Sequence, residues 1–152
     1  KLGPARLDVL RPPAYFTSER KDASPVNDST PVIEVSYGAF SALLAGDATA
    51  ATELQLIARG WLSPVTLLKV AHHGSDTSTS QPFLDVVKPQ IAVISVGKGY
   101  AGLPSDGILA RLEGCGASVY RTDLHGTVTI STDGRTWKVT AERQPDANPA
   151  GQ

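Results

Sequence analysis

The chain has 152 residues, with 14 Lys and Arg against 15 Asp and Glu for a net charge of −1, and is 41% hydrophobic and 19% charged. That is the length and composition of one globular domain with a sizeable core, and near-neutrality leaves no electrostatic footprint for nucleic acid at the level of the whole chain. No apolar run reaches the length of a membrane span, and a single cysteine, Cys115, excludes an internal disulfide.

Methionine is absent, and Lys1-Leu2-Gly3-Pro4 carries no signal-peptide pattern, so the start reads as a fragment of a longer protein. Residues 5–10 alternate as a first strand, stopped by Arg11, Pro12 and Pro13. Residues 15–30 are polar and read as a long loop. Residues 32–37 and 40–45 form a hairpin turning at Gly38 and ending in Gly46-Asp47. The period then changes, and Ala51, Leu54, Ile57 and Ala58 mark a helix over 48–59 with Gly60 as its stop. Val65, Leu67, Leu68 and Val70 make a short buried strand that runs into His72-His73-Gly74-Ser75.

Residues 76–80 are a solvated polar turn with capping capacity. A short helix follows over 81–87, with Pro82 in its first turn and Lys88-Pro89 ending it. Residues 91–96 are a second buried strand, leaving through a glycine-rich loop, 97–102, that lacks the phosphate-loop pattern. Ser105 caps a helix through Ile108, Leu109 and Leu112 to Gly114, with Cys115 as a small apolar filler. Three closing strands are expected at 119–122, 127–130 and 136–140, with turns at Gly126 and Asp133-Gly134 and with His125 exposed in the first of them. Residues 144–152 read as a disordered tail after one domain, 1–143. This order predicts an α/β (α+β layered) domain, a mixed sheet with helices on one face. The strand at 91–96 is apolar at nearly every position, so the opposite face expects a cover the chain does not supply.

The chemistry points to two strand ends. Neutral imidazole offers a lone pair to a metal, a carboxylate offers oxygen, and neighbouring strands would bring Asp47 and the His72-His73 pair to one place. Such a donor pair suits Zn²⁺ or Mn²⁺, and a carboxylate can bridge two ions. Asp47 equally fits the N-cap of the helix it precedes, whereas a structural role for the histidines is the lesser alternative, since two of them at a strand end are unusual packing residues. Lys69 and Ser75 flank the pair as candidate substrate-binding groups.

Several blocks in order resemble a known family: Leu7-Asp8-Val9-Leu10-Arg11-Pro12-Pro13, Asn27-Asp28-Ser29, the run 32–47, Leu68-Lys69-Val70-Ala71-His72-His73-Gly74-Ser75, Ile94-Ser95-Val96-Gly97 and Val119-Tyr120-Arg121-Thr122-Asp123. Over residues 2–140 the chain resembles the later part of the metallo-β-lactamase-like domain at the C-terminus of the ComEC family, competence channels for DNA uptake. The resemblance implies half of an αββα sandwich, two divalent metal ions, and metal-dependent hydrolysis of DNA phosphodiesters on the outer side of a bacterial cell membrane. It makes Asp47 a ligating or bridging carboxylate, His73 a ligand of the second metal, and His72 a neighbour nearer the substrate.

Two departures stand out. The His-x-His-x-Asp-His motif that supplies most ligands in this superfamily is absent and would precede Lys1. Where relatives carry Gly-His-Pro, this chain has Gly102-Leu103-Pro104, and Leu103 neither ligates nor transfers a proton. The fragment is therefore expected to be inactive alone and to hold no metal tightly at full occupancy, because structural zinc usually takes four protein ligands. The partners implied are DNA, the preceding half of the domain, the parent's membrane channel and a possible second copy on the uncovered face. Two other functions remain open: a non-catalytic domain that guides DNA or docks an uptake protein, and hydrolysis of a small phosphoester or lactone.

Overall fold

The computed structural model describes residues 3–10, 30–99 and 102–144. The polar loop expected over 15–30 lies outside them up to residue 29, as does the expected tail from residue 145. A six-stranded sheet runs in the order β1 (Arg6–Leu10), β2 (Val32–Tyr37), β3 (Phe40–Leu44), β4 (Leu67–Lys69), β5 (Ile91–Ile94) and β6 (Ser118–Arg121). The first three strands pair antiparallel; β3 through β6 pair parallel. Parallel neighbours need crossovers, and α1 (Ala50–Ala58), α2 (Gln81–Val87) and α3 (Asp106–Gly114) supply them. A short helical turn, α4 (Thr122–His125), then leads to β7 (Val128–Thr132) and β8 (Trp137–Ala141), an antiparallel pair that forms its own sheet.

Side chains alternate across the sheet, which sorts the apolar residues into two clusters. Leu43, Leu68, Ala92 and Ile94 face the helices and bury Leu56, Phe83, Leu84, Val87, Ile108 and Leu112. Phe40, Ala42, Leu67 and Ile91 face the other way and pack against Ile130, Trp137 and Val139 of the β7–β8 hairpin. β4 and β5 are thus covered on both sides, the physical reason they read as continuous apolar runs. The hairpin is pinned at its turn, where Ala39 N–H donates to the Gly134 carbonyl at 2.6 Å.

The helices occupy one face as expected, but the second face is not bare throughout, because β7 and β8 leave the main sheet and fold over it. What stays uncovered lies on the antiparallel side. The register aligns Val9 with Ile33 and Ile33 with Leu44 in one row, and Leu7 with Val35 in the next. Leu7, Val9 and Leu44 remain 51%, 55% and 36% exposed on this strip. Exposed contiguous apolar surface favours association. Concentrated protein is therefore expected to self-associate by light scattering and Val9→Lys to reverse it; a wild-type chain that stays monomeric at high concentration contradicts this.

Local expectations largely hold at the helices. Ser105 caps α3, its side chain accepting from Ile108 N at 3.3 Å, and Pro82 sits in the first turn of α2. Cys115 is half-buried at the end of α3, with its thiol against the Leu112 carbonyl at 3.1 Å. The first helix starts later than its periodicity implies: the N-cap is Thr49, and Asp47 stands outside the helix. Gly46 at φ +56 turns the chain here, and Ala48 N–H closes onto Ala45 O at 3.1 Å.

Candidate functional site

Parallel strands end on a common rim, so β3, β4, β5 and β6 deliver Asp47, His72 and His73, Ser95 to Gly97, and Thr122 to the same edge of the sheet. The histidines lie in a tight turn, Ala71–Gly74, after β4. Both adopt left-handed backbone, His72 at φ 48, ψ 42 and His73 at φ 55, ψ 21. Two consecutive non-glycine residues in that region are strained, and such strain persists only where the surroundings over-determine it. Here His72 N–H donates to Gly46 O at 3.0 Å, Ser75 N–H to His72 O at 3.0 Å, and Ser105 N–H to Gly74 O at 2.9 Å.

His73 Nδ1 lies 2.6 Å from the Ser95 carbonyl. A carbonyl can only accept, so Nδ1 carries the hydrogen and the lone pair resides on Nε2. That Nε2 sits 3.9 Å from Asp47 Oδ1, with both side chains nearly half exposed. The gap is too long for a hydrogen bond, but two ligands at about 2.0–2.2 Å can span it across one ion. His72 has another environment: its Nδ1 is 3.2 Å from Thr77 Oγ1, which is itself 3.0 Å from Ser75 Oγ. Thus it is His73 that faces Asp47, while Ser75 joins the hydroxyl pair beside His72. The Lys69 ammonium lies 3.5 Å from the Gly46 carbonyl; burial holds its pKa below the usual lysine value, and the Asp47 charge partly offsets this. A cavity of about 190 Å³ opens beside His73, lined also by Ser95, Val96 and Gly97.

The residues behind the rim were not visible in sequence. Glu53 of α1 is fully buried, accepting Thr79 N–H at 2.5 Å and Ser80 N–H at 2.9 Å. Burial pushes its carboxyl pKa above the usual range, against the lowering effect of those hydrogen bonds. A glutamate within a helical repeat ordinarily reads as a solvated side chain, so nothing local marks it. Asp76 accepts from Ser105 Oγ at 2.7 Å and Arg111 Nη2 at 3.2 Å, tying the histidine turn to α3. Leu103 packs against the core and brings no donor to the rim. The expectation that His125 is simply exposed is corrected: it is half-buried, Nδ1 lies 3.0 Å from both Arg121 N and Arg121 O, and its ring meets Tyr120 at 5.3 Å.

The fit to a metal is partial. Asp47 and the free Nε2 of His73 offer an oxygen and a nitrogen across a suitable gap, but among the described residues no group of three or more His, Cys, Asp or Glu could hold an ion.

Fold and rim together define a layered α/β domain that presents a carboxylate and an imidazole at the C-terminal edge of parallel strands. The chain is 39% identical over 106 residues to Recombination protein 2 of Haemophilus influenzae, covering 69% of this chain and 13% of that protein. It is 34% identical over 126 residues to Competence protein ComA of Neisseria gonorrhoeae, covering 80% of this chain and 17% of that protein, and 32% identical over 114 residues to ComE operon protein 3 of Bacillus subtilis, covering 74% and 15%. The chain belongs to the ComEC family of competence proteins. It spans less than a fifth of the length of these relatives. No family model matches it. Among the described residues no helix is long and apolar enough to cross a membrane.

Proposed function

We propose that this chain forms one wall of a metallo-β-lactamase-like domain that hydrolyses DNA phosphodiesters within a ComEC-type uptake protein, on the outer side of the bacterial cell membrane. The observation that carries the reading is His73, whose Nδ1–H is spent on Ser95 O so that Nε2 meets Asp47 across 3.9 Å. Asp47 and His73 would hold zinc or manganese, two ions in the intact domain, with the remaining ligands coming from the preceding part of the parent. Bound there, the metal would supply Lewis acidity and an activated water.

The chain's own residues do the positioning. Ser95 fixes the His73 tautomer, and Thr77 and Ser75 hold His72 beside it. Lys69, with its charge on the Asp47 side of β4, offsets the charge of a bound phosphodiester. In the intact parent supplied with Mn²⁺ or Zn²⁺, Asp47→Ala and His73→Ala are each expected to cut DNA cleavage by about a hundredfold or more. Cleavage that survives both changes removes the proposal. One observation favours a second reading, a non-catalytic domain that guides DNA: Leu103 packs against the core at the position where the family resemblance leads one to expect a histidine. An intact parent that binds DNA but never cleaves it, with any divalent metal, would decide for that reading.

A further inference from the structure

A second concavity lies on the same rim, beyond the site described so far. Cross-strand register places Leu44, Lys69, Val93 and Tyr120 in one row on the hairpin side of the sheet. Strand spacing of about 4.8 Å puts Tyr120 roughly 10 Å along that row from Lys69. At Tyr120 the row opens into a cavity of about 420 Å³ between β6, α4 and the end of β8, lined by Tyr120, His125, Val139, Thr140, Arg143 and Gln144.

Its chemistry is specific. The Tyr120 and His125 rings lie 5.3 Å apart at 57°, a paired aromatic wall. Val139 packs with the apolar cluster beneath the hairpin, giving the cavity an apolar floor. Arg143 stands at the mouth: among the described residues its Nη2 reaches the Thr122 and Asp123 carbonyls, at 3.4 and 3.5 Å, and its side chain is exposed. By contrast Arg121 is committed, bidentate on Asp123 at 3.1 and 2.6 Å. Arg143 is thus an exposed cation beside an aromatic wall, with the Glu142 carboxylate as a charged neighbour. A flat ring that stacks and an anion attached to it satisfy both features together, as a nucleotide does.

We propose that this cavity is a nucleotide subsite: the Tyr120–His125 wall takes a base of single-stranded DNA and Arg143 takes its phosphate, alongside the phosphodiester group presented to Asp47 and His73. The inference rests on the proposed polynucleotide substrate, and it explains how a nearly neutral chain would hold a strand, by stacking and one placed cation rather than by a basic field. Glu142, next to Arg143, accepts through Oε2 from Thr127 N–H and Thr127 Oγ1, each at 2.9 Å, and its charge also acts on Arg143, so a phosphate at the mouth displaces part of that attraction.

The test is binding of a short oligothymidylate to the full chain at low salt, followed by NMR of the Tyr120 and His125 ring signals. Both rings are expected to shift on saturation. Tyr120→Leu and Arg143→Gln should each weaken binding about tenfold, whereas Tyr120→Phe, which keeps the stacking face, should bind as wild type. An abasic oligomer of equal length should bind like the Tyr120→Leu pairing. No binding, unshifted rings, or wild-type affinity in Tyr120→Leu or Arg143→Gln overturns the subsite. The reading is separable from hydrolysis: these are binding measurements on this chain without added metal, while loss of the hydrolase proposal is read in cleavage by Asp47→Ala and His73→Ala of the parent.

Discussion

Glu53→Ala is expected to lower the unfolding free energy of the chain by about 3 kcal/mol, read as a fall in urea midpoint at unchanged slope. The carboxylate is fully buried and satisfies the Thr79 and Ser80 amides. Removing it leaves donors with no acceptor, in a loop already strained by Thr79 at φ 50. An unchanged midpoint would show that water satisfies those amides and that Glu53 is not the post holding the loop. The same group sets a pH dependence. Its folded-state pKa is raised by burial above the ordinary value of 4.5, so the folded chain holds this proton more tightly than the unfolded chain. Stability from Glu53 is then complete below the unfolded value and is lost as pH rises through the raised folded value. Glu53→Gln, which has no proton to lose, should flatten that fall.

Gly74→Ala should cost a similar amount, about 3 kcal/mol, and act directly on the rim. Gly74 sits at φ +84, and a Cβ there would stand 2.5 Å from Pro104 Cβ and 3.1 Å from Pro104 Cα. Neither the backbone conformation nor the space allows it, so the 103–105 segment must move away. Because Ser105 N–H donates to Gly74 O, that movement loosens the turn carrying both histidines. The expected signature is a lower urea midpoint together with faster exchange of the Ser105 amide. Wild-type exchange in a stable Gly74→Ala would mean that Pro104 does not pack on the turn.

The sequence by itself determined the elements and the donors. Period-two and period-3.6 patterns are local, so the strands at 32–37 and 91–94 and the helices capped at Ser105 and stopped at Lys88 were legible. So was the placing of Asp47 and the His72-His73 pair at strand ends, because turn chemistry at Gly46 and Gly74 is also local. Which donors meet was decided only by tertiary structure, since it depends on parallel register between β3, β4 and β5. That register freed Asp47 from the cap, which Thr49 took, and set His73 rather than His72 against it. The same holds for the three closing strands. β6 continues the parallel sheet while β7 and β8 fold over its far face, and no local pattern distinguishes them because all three alternate alike. Buried Glu53 and the Tyr120–His125 wall were hidden for one reason: burial and stacking are properties of neighbours distant in the chain.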